Sequence, residues 1–86
     1  MTKKEFVVDL KGIKDHAALH DAIAQSLPLP KCYGRNLDAL YDVLTEFGAD
    51  WRIVFRNAMS IDNAFKSFCH DAMDATQGLE IVMEPN

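Results

Sequence analysis

No stretch of this sequence approaches the roughly 20 consecutive apolar residues that a bilayer-spanning helix requires; its longest apolar runs are only a few residues. The opening Met1-Thr2-Lys3-Lys4-Glu5 leads straight into a strand-like segment, without the apolar stretch and small-residue cleavage site of a secretory leader. A cytoplasmic location is therefore expected. Lysine and arginine together number 9 against 13 aspartates and glutamates, giving a formal net charge of -4. Without a basic cluster to reverse that balance, direct nucleic-acid binding is disfavoured and binding to a basic protein is favoured. Two cysteines, Cys32 and Cys69, are too few for a disulfide scaffold and read as reduced thiols. There is no glycine-rich phosphate loop, no Cys-x-x-Cys pair and no His-Glu-x-x-His run, so the signatures of nucleotide chemistry and of the common zinc sites are missing.

What is present suits a small globule. The hydrophobic fraction is 49% and the charged fraction 26%, enough apolar material for one packed core. Eighty-six residues without a repeat, a low-complexity tract or an interdomain linker give a single domain over 1–86, expected to be a monomer when free.

Glu5-Phe6-Val7-Val8-Asp9-Leu10 is short, β-branched and aromatic, and reads as a buried strand. Asp15 can cap a helix whose Leu19, Ile23 and Leu27 recur every four residues up to Pro28. Pro28 to Arg35 cannot continue that helix and reads as a loop with an exposed aromatic, Tyr33. Asn36 caps a second helix with Leu37, Leu40, Val43, Leu44 and Phe47 on its inner face, and Gly48 suits its end. Trp51 to Arg56 is a second strand. Ser60 is a good cap for a third helix with Ile61, Ala64, Phe65, Phe68, Ala72 and Met73 inward, and Leu79 to Met83 is a last strand. The order β-α-α-β-α-β predicts a small α/β domain with a parallel sheet covered by helices, because parallel neighbours need long crossovers.

The second helix carries the strongest functional signal. Asp38, Asp42 and Thr45 stand at i, i+4 and i+7, which puts them in one stripe, and Glu46 extends the acid alongside. Such a stripe is most often a solvated face. Its surroundings argue for more: Tyr33-Gly34-x-Asn36-Leu37-Asp38-Ala39-Leu40-Tyr41-Asp42-x-Leu44-Thr45, preceded by Leu27-x-Leu29-Pro30, resembles the signature of the barstar family of intracellular ribonuclease inhibitors. The resemblance implies a three-stranded parallel sheet in sequential order packed with helices. It also implies a noncatalytic protein that blocks a ribonuclease by putting an acidic helix into its basic active-site cleft.

On that resemblance the partner-binding residues would be Tyr33, Gly34, Asn36, Asp38, Tyr41, Asp42 and Thr45. Asp42 would enter the phosphate pocket and Asp38 would support it. The chemistry is consistent from the residues upward, since a cleft built to hold a phosphodiester accepts carboxylates through charge-assisted bonds. Tyr33 and Tyr41 offer rigid, amphipathic area. Three positions depart from the family pattern. Cys32 replaces a second loop aromatic, Tyr41 replaces a tryptophan, and Arg35 puts a positive charge where the family has an acid. The family's acid on a later helix falls at His70 or Asp71, and the sequence leaves the two open.

Other readings are weaker. His16 and His20, four apart, read as solvated or half-buried histidines rather than zinc ligands, so no metal and no cofactor is expected. An enzyme with Cys32 as nucleophile lacks an oxyanion hole and a nucleotide loop. Trp51, Phe55, Phe65 and Phe68 read as core. A noninhibitory protein-binding adaptor of the same fold is the alternative function.

Overall fold

The computed structural model describes residues 3–85. Three strands, β1 (Lys4–Asp9), β2 (Trp51–Arg56) and β3 (Glu80–Met83), form one parallel sheet in the order β1-β2-β3. Two helices, α1 (His16–Ser26) and α2 (Leu37–Phe47), connect β1 to β2, and α3 (Asn63–Ala75) connects β2 to β3. The α/β class, the element order and the sequential sheet are those expected.

Alternation along the strands decides which sheet face the helices cover. Phe6, Val8, Trp51, Ile53, Phe55, Ile81 and Met83 join Leu19, Ile23, Leu40, Leu44, Phe65 and Ala72 of the helices in one core. Sequential parallel strands joined by right-handed crossovers put all their helices on one side. The other face carries the register row Val7–Val54–Val82, and Val7 is 46% exposed. The expectation of a buried strand over Glu5 to Leu10 is therefore corrected for β1: it is an edge strand with an exposed outer face. Charged rows flank the valines. Arg52 pairs with Glu5 at 3.0 Å and with Glu80 at 3.7 Å, Lys3 reaches Glu80 at 2.7 Å, and Arg56 pairs with Glu84 at 3.6 Å. The Lys3 ammonium bonded to Glu80 holds that carboxyl below its ordinary range, and the Lys11 N–H and Asn57 do the same for Asp9.

Each helix starts on a side-chain cap. Asp15 accepts from the Ala18 N–H at 2.8 Å, Asn36 from that of Ala39 at 2.8 Å, and Asp62 from that of Phe65 at 2.9 Å, each satisfying a backbone donor that the helix itself cannot. For α3 the cap is Asp62 where Ser60 was expected; Ser60 ends a 3-10 turn, and its side chain lies outside the described residues. Two inward assignments are also corrected. Ala64 is exposed because it lies in the first turn, beyond the core stripe of Phe65, Cys69 and Ala72. Phe47 is 52% exposed because it is the last residue of α2, where the inward stripe runs out with the helix. Gly48 has φ -86, so it is not a left-handed cap; it is buried and opens a 3-10 turn, where a Cβ would stand 3.2 Å from Leu79 Cδ1. Gly78 does need to be glycine, since its φ is +96 and a Cβ would come within 2.2 Å of the Ala49 carbonyl oxygen.

Candidate functional site

The stripe on α2 forms as its spacing predicts. Leu40, Val43 and Leu44 are buried, while Asp38, Asp42 and Glu46 are exposed and Thr45 is half-buried. Thr45 does not reach outward with its hydroxyl, which donates back to the Tyr41 carbonyl at 2.9 Å and the Asp42 carbonyl at 3.3 Å. Asp38 and Asp42 make no hydrogen bond or ion pair through their carboxylates among the described residues.

The distribution of such idle acids is uneven. Glu5, Glu80 and Glu84 are paired on the sheet, Asp50 faces Lys4 at 3.9 Å, Asp21 pairs with Arg35, Asp15 and Asp62 cap helices, and Asp9 bonds Asn57 at 2.7 Å. The acids left without a partner among the described residues are Asp38, Asp42 and Glu46 on α2 and Asp71 and Asp74 on α3. Uncompensated negative charge is thus gathered on two neighbouring helices.

Tyr41 joins those helices. Its ring meets Phe68 edge-on with centroids 6.2 Å apart, Phe68 stacks on Phe65 at 5.7 Å, and Phe65 meets Phe55 of the central strand at 5.5 Å. This aromatic chain ties the acidic face to the middle of the sheet. Asp71, three residues beyond Phe68, lies on the Phe68 side of α3, whereas His70 points nearly opposite; both are exposed. Of the two, Asp71 is thus the one on the same side of α3 as the ring that meets Tyr41.

At the start of α2, the Asn36 side chain donates to the Gly34 carbonyl at 3.2 Å while capping the helix. A Cβ on Gly34 would sit 3.2 Å from Asn36 Nδ2 and 3.3 Å from Ala39 Cβ, so glycine lets the loop lie against the cap. Tyr33 is not the freely exposed aromatic that was expected. It is half-buried, and its hydroxyl and His20 Nδ1 share a hydrogen bond of 2.6 Å. Burial pushes the Tyr33 hydroxyl up to about 12. Arg35 adopts φ 54 and pairs with Asp21 of α1, so its positive charge is met within the chain.

By their spacing Asp38, Tyr41, Asp42 and Thr45 share one side of α2, and Tyr33, Gly34 and Asn36 precede them in the loop and cap, so that the seven make a strip in chain order. A family model described as Barstar (barnase inhibitor) matches residues 3–82. The chain belongs to the barstar family. The family is one of inhibitors rather than enzymes, and membership carries a general function, inhibition of a ribonuclease. A putative ribonuclease inhibitor, YrdF, of Bacillus subtilis (strain 168) is 29% identical over 75 residues, 86% of this chain and 82% of that protein.

As a barstar-family surface, the strip departs from a plain acidic helix in what lies behind it. His20, only 3% exposed, and Asp21 support the loop from α1, and sequence reasoning had placed neither in the site. The available signal was His20 itself, a polar residue bordering the apolar stripe of Leu19, Ile23 and Leu27, where a buried ring needs a partner. Elsewhere the chemistry is sparse. His16 is exposed and faces Asp62 at 3.8 Å, and no group of three potential metal ligands comes together among the described residues. Cys32 is an exposed free thiol on the loop; Cys69 is buried, with its thiol pushed up to about 12.

Proposed function

We propose that this protein inhibits a ribonuclease by occluding a basic active-site cleft with α2, the Asp42 and Asp38 carboxylates standing in for RNA phosphate. The observation that carries the reading is the set of idle acids: nearly every acid elsewhere is paired or capping, while those of α2 and the facing side of α3 have no partner of their own. A rigid helix presenting uncompensated carboxylates matches a cleft of arginine, lysine and histidine built for an anion. Tyr41 and Tyr33 supply flat contact on either side, and Gly34 and Asn36 shape the approach. No bond is made or broken; the complex excludes RNA, and opposite charges speed the encounter. The site of action in this proposal is the cytoplasm, where the protein serves as an immunity factor against a ribonuclease.

The test is direct. Purified protein is titrated into barnase, and into other ribonucleases with basic clefts, and RNA cleavage is followed. Stoichiometric loss of cleavage with at least one of them is expected; full activity in every mixture refutes inhibition. Capture of an unrelated protein from the source cell, with cleavage untouched, identifies an adaptor instead.

A further inference from the structure

Two adjacent residues of α1 reach the loop that precedes α2, each by a different interaction. His20 meets the Tyr33 hydroxyl at 2.6 Å, with its ring centroid 5.9 Å from that of Tyr33, and Asp21 pairs with Arg35. We propose that His20 and Asp21 are positioning residues that hold the Tyr33–Arg35 segment in its binding shape before any partner arrives, and that Asp21 also masks the positive charge of Arg35. The proposal rests on the reading that this loop and α2 form the inhibitory face.

The two contacts satisfy different needs. His20 is almost wholly buried, and a buried imidazole nitrogen without a partner is costly, as is a half-buried phenol without one. With the proton on Nε2, Nδ1 accepts from the Tyr33 O–H, so each group answers the other's need while the loop is docked. The loop is further constrained by its own bonds: the Leu29 N–H donates to the Leu27 carbonyl at 2.9 Å and the Tyr33 N–H to the Pro30 carbonyl at 3.0 Å. Ordering a loop during folding removes that entropy cost from the binding step.

Asp21 and Arg35 are each more than half exposed, and an exposed ion pair contributes little to stability. Its effect is one of placement. Arg35 sits one residue before the cap of α2 in a left-handed conformation uncommon for a residue with a side chain. Freed from Asp21, its guanidinium would stand at the edge of the acidic face and repel a basic cleft. Paired, it leaves the charges of Asp38 and Asp42 undiluted.

The experiment has a partner-free arm and a binding arm. Amide hydrogen exchange of the free protein is compared for wild type, Tyr33→Phe, which removes only the hydroxyl, and Asp21→Ala. Exchange at the Tyr33 amide and its neighbours should rise about tenfold or more in Tyr33→Phe, with β2 and α2 amides unchanged as the control for global folding. Unchanged loop exchange in both variants overturns the proposal, whatever the protein binds. In the binding arm, association with barnase is followed by stopped flow at low salt. Asp21→Ala should associate several-fold more slowly, and Asp21→Ala/Arg35→Ala should recover the wild-type rate. A double variant as slow as the single one overturns the masking role. Failure of wild-type protein to inhibit any ribonuclease, with loop exchange responding as expected, removes the proposed function and leaves the positioning of the Tyr33–Arg35 segment by α1 standing.

Discussion

Asp42 stands four residues after Asp38 on the outer side of α2, and neither carboxylate has a partner among the described residues. Two like charges at that spacing repel by about 0.2–0.5 kcal/mol. Aspartate is also a poorer helix former than alanine, by up to about 0.7 kcal/mol. Asp42→Ala should therefore stabilise the free protein by about 0.5–1 kcal/mol, or roughly 2–8 °C in melting temperature for a domain of this size. In the complex the sign reverses. Stripping one partner from a buried ion pair costs about 3–5 kcal/mol, which corresponds to a Kd weakened roughly 150- to 5,000-fold. Asp38→Ala is the internal control: this residue lies in the first turn, where a carboxylate gains about 0.3–1 kcal/mol from the helix N-terminus, so its melting temperature should stay close to wild type. Thermal melts of the free variants and titration calorimetry against an inhibited ribonuclease measure both quantities. A lower melting temperature for Asp42→Ala, or an unchanged Kd, refutes the idea that this carboxylate is held in reserve for a partner.

Burial lowers the pKa of His20 from its ordinary value of 6.5, and the neighbouring His16 and Arg35 lower it further. A base depressed in the folded state takes up its proton more readily when unfolded, so its contribution is complete above about 6.5 and is lost as the pH falls through the folded value. Urea melts between pH 8 and 5 should show that loss, and His20→Gln should flatten the difference between those limits; equal pH dependence in the two proteins would count against a buried neutral imidazole. Gly78→Ala should cost roughly 2–4 kcal/mol, because the left-handed backbone and the Ala49 carbonyl both oppose a methyl group there. A urea midpoint within experimental scatter of wild type would show that this turn relaxes freely.

Local signals carried most of the architecture. Asp15 and Asn36 are side-chain caps as their positions before apolar periodicity suggested, and the i, i+4, i+7 spacing of Asp38, Asp42 and Thr45 produced the expected stripe. The misreadings share a cause. The exposure of Phe47, Val7 and Tyr33 is set not by residue type but by where an element ends, which face of the sheet the helices leave open, and which side chain waits on a distant helix. The contact between His20 and Tyr33 spans 13 positions, and no periodicity announces a hydrogen bond between a helix and a loop. Likewise, Asp21 and Arg35 each look like ordinary surface charges until the fold brings them together.

Every residue of the strip, from Tyr33 to Thr45, comes from one unbroken run of the chain, while the sheet is assembled from segments at its two ends and middle. On the proposed function, recognition and scaffolding therefore draw on different stretches of the sequence. A change of target can be written as a short edit between Leu29 and Glu46 that leaves the strand register untouched, and the scaffold can drift without altering what is recognised. The residues that couple the two, His20 behind the loop and Phe68 beneath Tyr41, are where such independent change should be least tolerated.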